Sequence, residues 1–169
     1  MDMQKDILII KNITRETPAG IQPLLEAHHD SFDIIELDRG QVFPDPTAYR
    51  AVIVLGGPDS ANDQTAKMKD EIRQVRRAVE AEVPYLGICL GLQVLVKACG
   101  GYVVPSTVKE VGCRDQTGGY FQIELTSIGR KDPILKGLES GFKSIELHGE
   151  MVELTQDMQL LGVGKWCRP

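Results

Sequence analysis

Apolar residues fall in short unbroken runs through the first part of the chain, separated by polar stretches with helical spacing. Ile7-Leu8-Ile9-Ile10 is a continuous apolar run rich in β-branched residues, the pattern of a strand buried on both faces of a parallel sheet. After a loop with Pro18 and Gly20, residues 21–28 suit a short helix with Ile21, Leu24 and Leu25 on one face. Residues 32–37 predict a second strand, and 40–47, with two prolines, a connection. Ala51-Val52-Ile53-Val54-Leu55 predicts the central strand, and it stops at Gly56-Gly57-Pro58. Between Gln64 and Glu82, Met68, Ile72, Val75 and Val79 recur at helical spacing. A strand over 85–88 and a helix to about Ala98 follow, closed by Cys99-Gly100-Gly101 with glycine as the left-handed cap. This strand–helix alternation predicts an α/β fold: an open, mostly parallel sheet covered by helices on both faces.

The pattern changes after Gly101. Residues 102–104, 120–125, 142–147 and 151–154 are short and partly alternating, which predicts mixed or antiparallel strands with one face in solvent. Residues 132–138 suit one helical turn. No repeat, low-complexity tract or linker interrupts the 169 residues, so a single domain is expected. The composition is that of an ordinary globular chain. Its net charge of −5, without a basic stripe, argues against nucleic-acid and membrane-surface binding. The N-terminus is polar and leads into only a short apolar run, neither a signal peptide nor a span, so the expected location is cytoplasmic.

The chemistry concentrates at Gly87-Ile88-Cys89-Leu90-Gly91. An apolar strand runs into a cysteine between two glycines, and a helix opens at once, as a nucleophile elbow requires. The helix start supplies free N–H groups and a positive dipole end beside Cys89, favouring thiolate. A cysteine buried in a tight turn is the competing reading. Gly56 and Gly57 sit at the carboxyl end of a predicted parallel strand, where open α/β sheets place their ligands. Their N–H groups, with that of Leu90, suit an oxyanion hole, although Gly-Gly-Pro also makes a simple turn. The other cysteines, Cys99, Cys113 and Cys167, form no C-x-x-C pair, and no histidine stands at zinc-ligand spacing from a cysteine. They are read as reduced thiols, and no metal or cofactor is expected.

Gly-Gly-Pro followed by Gly-Ile-Cys-Leu-Gly-Leu-Gln resembles the class I (triad-type) glutamine amidotransferase domain, especially the stand-alone relatives of the GMP synthase amidotransferase domain. Glu110-Val111-Gly112, the 132–138 segment and His148-Gly149-Glu150 extend the resemblance almost to the last residue. It implies a flavodoxin-like sheet and hydrolysis of the glutamine side-chain amide through a Cys89 thioester, with release of ammonia to an acceptor. It further implies Gly57 and Leu90 as oxyanion donors, Gly56 and Gln93 near the substrate, and a synthetase as a possible partner. Gln93 as a polar residue on a cleft wall is an equal reading.

One feature departs from the family. Its general base comes from a His-x-Glu pair near the C-terminus, after a strand beyond the point where these residues stop. His148-Gly149-Glu150 has the right letters but resembles an earlier His-x-acid element. His28 and His29 end a helix and read as solvated dipole partners. The expectation is therefore a domain lacking its last strand and catalytic His-x-Glu. The alternatives are His148 as base oriented by Glu150, or an inactive binding or regulatory relative. Hydrolysis of another γ-glutamyl amide is the alternative activity.

Overall fold

The structure is a computed structural model that describes residues 5–138 and 140–167. The polar start of the chain, Met1 to Gln4, lies outside the described residues. The fold divides into two compact units, Met1–Gly100 and Gly101–Pro169.

The first unit alternates strand and helix in the order β1 (Lys5–Lys11), α1 (Ile21–Ala27), β2 (Phe32–Glu36), β3 (Tyr49–Val54), α2 (Ala66–Glu80), β4 (Tyr85–Gly87) and α3 (Leu90–Ala98). The strands are parallel in the order β2-β1-β3-β4, the flavodoxin-like arrangement that the resemblance implies. Ile7 to Ile10 pair with both neighbours, which explains why that run is apolar on both faces. On one face Ile9, Ile53 and Leu55 pack against Ile21 and Leu25 of α1. On the other face Val54 packs against Gly91 at the start of α3. Helices therefore cover both faces. Leu8, Ile9, Ile10, Val52, Val54, Val75 and Val94 are wholly buried, each contributing about 1.5–3 kcal/mol of hydrophobic stabilisation.

Helix α2 corrects the sequence pattern. Periodicity selects Met68, Ile72, Val75 and Val79, yet the buried stripe is Met68, Glu71, Val75 and Ala78, with Val79 exposed. Glu71 can enter the core because Asn12 Nδ2, which also donates to Leu55 O, donates to Glu71 Oε1 at 2.9 Å. Burial pushes the Glu71 carboxyl up to about 6, against the lowering effect of the Asn12 hydrogen bond and of Lys67. Glu71 Oε2 and Asn12 Oδ1 are buried without a hydrogen-bond donor. A carboxyl that holds its proton more tightly when folded costs stability as pH rises through the range between its ordinary value near 4.5 and about 6. Glu71→Gln, whose amide also supplies a donor, is therefore expected to stabilise the protein by about 2 kcal/mol above pH 7. The gain should shrink towards pH 4, as thermal unfolding across that range will show.

In the second unit, β5 (Tyr102–Gly112) pairs antiparallel with β8 (Glu146–Glu153), and β6 (Gln122–Leu125) lies between β7 (Gly141–Lys143) and β9 (Gly162–Gly164). These are the short antiparallel strands expected, with different boundaries. The 102–104 prediction grows to Gly112, with the pairing register shifting between Pro105 and Glu110. The predicted strand over 142–147 breaks at Ser144, and its end joins 151–153 in one strand that carries His148-Gly149-Glu150. Pairing with β5 supplies the ladder that local propensity through Gly149 does not. The helical turn expected at 132–138 is a single 3-10 turn, Pro133–Leu135. Among the described residues no helix is long and apolar enough to cross a membrane.

Candidate active site

The carboxyl ends of β1, β3 and β4 converge at one end of the parallel sheet, where the strand order reverses between β1 and β3. Ile88 N donates to Val54 O at 2.9 Å and so carries β4 one residue past its last paired position. Cys89 then turns the chain, with φ 54° and ψ −111°, and α3 begins at Leu90. The left-handed angle falls on the cysteine itself, not on its flanking glycines, neither of which has positive φ. A side chain in such backbone costs about 1–3 kcal/mol and persists only where its surroundings impose it.

The surroundings here are steric. A Cβ on Gly87 would lie 2.6 Å from the Gly91 carbonyl, and one on Gly91 would lie 2.2 Å from Val54 O. The glycines thus let strand and helix close on each other, while Cys89 bears the strain and stands exposed. Gly91 N donates to Ile88 O and Gln93 N to Cys89 O, which locks the turn into the helix. The Tyr85 hydroxyl donates to Gly91 O at 2.9 Å and fastens the same turn from the strand side. Its phenol is held far above its ordinary range, chiefly by burial.

The Gly56-Gly57 turn lies against this elbow. A Cβ on Gly56 would meet the Cys89 Cβ at 3.3 Å and Glu16 Oε2 at 2.9 Å, and one on Gly57 would meet Leu90 Cδ2 at 3.2 Å. Leu90 occupies the first position of α3, where a helix N–H has no intrahelical acceptor. Gln93, one turn on, is buried. Cys89, Gly56, Gly57 and Leu90 are therefore together in the first unit, with Gln93 on the next turn of α3. Sequence reasoning missed Tyr85, Glu16 and Asn12. Asn12 packs beneath Gly57, at 2.6 Å from its would-be Cβ; its signal is a polar residue directly after the β1 run. Glu16 carries no such signal.

His148 and Glu150 lie in the second unit, on one face of β8 together with Glu146. His148 Nε2 stands 3.2 Å from Glu110 Oε2 and 3.2 Å from Glu146 Oε2. Glu110 is 3% exposed, and burial pushes its carboxyl up, offset in part by His148. Cys167 Sγ joins Glu110 and His148 within 4.8 Å. Its thiol is pushed up by burial, with Glu110 and Glu146 adding to the effect. His28 and His29 are exposed at the end of α1.

A family model described as "Glutamine amidotransferase class-I" matches residues 18–163. A γ-glutamyl-L-1-hydroxyisopropylamide hydrolase from a Pseudomonas species is 30% identical over 62% of this chain and 35% of its own length. One of the subunits of the glutamine-hydrolysing GMP synthase of Sulfurisphaera tokodaii is 32% identical over 67% of this chain and 54% of its own. The chain thus spans about a third to a half of these curated relatives. The crystal structure of a glutamine amidotransferase from Methylobacillus flagellatus superposes with a TM-score of 0.82 at 25% identity, over 98% of this chain and 63% of that one. Another from Thermotoga maritima, at 21% identity, gives 0.84 over 97% and 69% and supports the fold.

Proposed function

This chain belongs to the class I glutamine amidotransferase family, and on that premise we propose that Cys89 is the nucleophile of a γ-glutamyl amide hydrolase whose first substrate is glutamine. The observation that carries the reading is the left-handed Cys89 at the strand–helix turn, pressed against Gly56. The thiolate attacks the side-chain carbonyl, and the resulting oxyanion accepts from the N–H groups of Gly57 and Leu90. Collapse of the adduct expels ammonia, which takes its proton from the base, and leaves a γ-glutamyl thioester on Cys89. Water then cleaves the thioester to glutamate and restores the thiol. Gly56 and Gln93 line the approach to Cys89, and the ammonia passes to an acceptor, in this reading on a partner synthetase.

Of the two base assignments that the sequence leaves open, we adopt a His-x-Glu element supplied from outside residues 1–169. His148, even with Glu150 to orient it, has its Nε2 already engaged between two carboxylates. Ammonia release from glutamine, and amine release from γ-glutamyl N-alkylamides, should be measured on the protein as the cell makes it. The amide class of the Pseudomonas relative makes the second substrate the informative comparison. The expected result is turnover of glutamine. Faster release from the alkylamide would assign the alternative substrate, and no release from either would leave a binding or regulatory relative. His148→Ala should lower the rate only in part; complete loss would make His148 the base.

A further inference from the structure

We propose that Glu110, His148 and Cys167, with Glu146 beside them, form a binding site for a zinc-class divalent cation. The site lies wholly within the second unit and does not depend on the Cys89 reading. Its donors come from three separate segments. Glu110 on β5 stands directly opposite His148 on β8 in the antiparallel register, Glu146 is two residues away on the same face, and Cys167 lies in the turn after β9.

The donor atoms of Glu110, His148 and Cys167 lie within 4.8 Å of one another, and the two carboxylates each approach His148 Nε2 to 3.2 Å. Zinc bonds of about 2.0–2.3 Å in a tetrahedron place neighbouring donors roughly 3.3–3.8 Å apart. The carboxylate–imidazole edges already meet that spacing, and the thiol needs to close by at most about 1 Å to reach it. One carboxylate, one imidazole and one thiolate make a mixed donor set that suits a borderline-soft ion and disfavours calcium or magnesium, which take oxygen ligands. Glu146 reaches His148 Nε2 but falls outside that set, so three protein donors leave the fourth position to water.

The charge balance points the same way. A wholly enclosed carboxylate is costly without a cation, and Glu110 is 3% exposed. Among the described residues no lysine or arginine pairs with Glu110 or Glu146; both turn to the same imidazole nitrogen. That nitrogen carries at most one proton and can serve one carboxylate at a time. A divalent ion among the donors would compensate Glu110 and the thiolate together and lessen the charge beside Glu146. His148 Nδ1 is buried without a partner, so it is free to carry the ring proton when Nε2 gives up its carboxylate hydrogen bond to bind the ion. Binding would release the thiol proton, and uptake should weaken as pH falls.

The test is titration of the chelator-stripped full-length protein with Co2+ and then Zn2+. The expected result is one cobalt per chain, with a thiolate-to-cobalt charge-transfer band that Zn2+ displaces. Cys167→Ser should remove the band, and the triple variant Cys89→Ser/Cys99→Ser/Cys113→Ser should retain it. Glu110→Gln and His148→Ala should each weaken Zn2+ binding by about tenfold or more. If His148→Ala does not fold, Glu110→Gln and Cys167→Ser carry the test. Absence of the band, its survival in Cys167→Ser, or Zn2+ affinity unchanged by Cys167→Ser and Glu110→Gln would overturn the site.

Discussion

Cys89→Ala is expected to lower amide hydrolysis by about four orders of magnitude or more, because removing the nucleophile of a covalent mechanism removes both its steps. A glutamine-like electrophile should label Cys89 in the unmodified protein ahead of the other three thiols. Desolvation raises the thiols of Cys99, which is exposed like Cys89 but caps the negative end of α3, and of half-buried Cys167, whereas Cys89 stands at the positive end of α3. Equal labelling of all four cysteines would remove the nucleophile assignment. The same position carries a stability signature that a merely reactive surface cysteine would lack. Alanine keeps the Cβ that the left-handed backbone resists, while glycine does not. Relief of about 1–3 kcal/mol of strain outweighs the roughly 0.5–1 kcal/mol of chain entropy that glycine costs. Cys89→Gly should therefore unfold at a temperature several degrees above Cys89→Ala, with both inactive. The opposite order would show that the turn holds no strain.

Gly91→Ala is expected to destabilise the protein by at least about 3 kcal/mol, beyond the usual cost of overpacking a core. The added Cβ would lie 2.2 Å from the Val54 carbonyl oxygen, a main-chain atom held in the β1–β3–β4 ladder that cannot swing aside as a side chain can. Either α3 moves off the sheet or the β3–β4 pairing opens, and each moves Leu90 away from Gly57. Activity should fall with stability. Gly100→Ala is the matched control, since Gly100 has φ 89° with nothing within 4 Å of its would-be Cβ. It carries only the left-handed penalty of about 1–2 kcal/mol. Denaturant midpoints of the two variants measure the difference. Equal losses would mean that the close approach of helix to strand is not what requires glycine at position 91.

The first unit was legible in the sequence because its signals are local. A parallel strand buried on both faces must be apolar throughout, so Ile7 to Ile10 and Ala51 to Val54 announce themselves. The elbow follows the same rule, as strand, glycine, cysteine, glycine and helix are contiguous. Even the position of Gly56 and Gly57 beside Cys89 is a consequence of strand order in such a sheet. Glu71 was not legible. A glutamate on a helix reads as solvated, and only Asn12 arriving from the end of β1 makes its burial possible. In the second unit the alternation is weaker and the strands are paired across long separations. Their boundaries therefore depended on partners that no local window contains.

By itself the sequence determined the strand–helix alternation and the elbow residue, since each follows from neighbours along the chain, while the flavodoxin-like order came with the family resemblance. The tertiary structure decided that the backbone strain sits on Cys89 while Gly87 and Gly91 yield space, because a 2.2 Å approach is a property of two elements and not of one. It also gathered Glu110, His148 and Cys167 into one cluster, where spacing along the chain had suggested no metal ligands. Antiparallel pairing brings together residues that a linear motif keeps far apart.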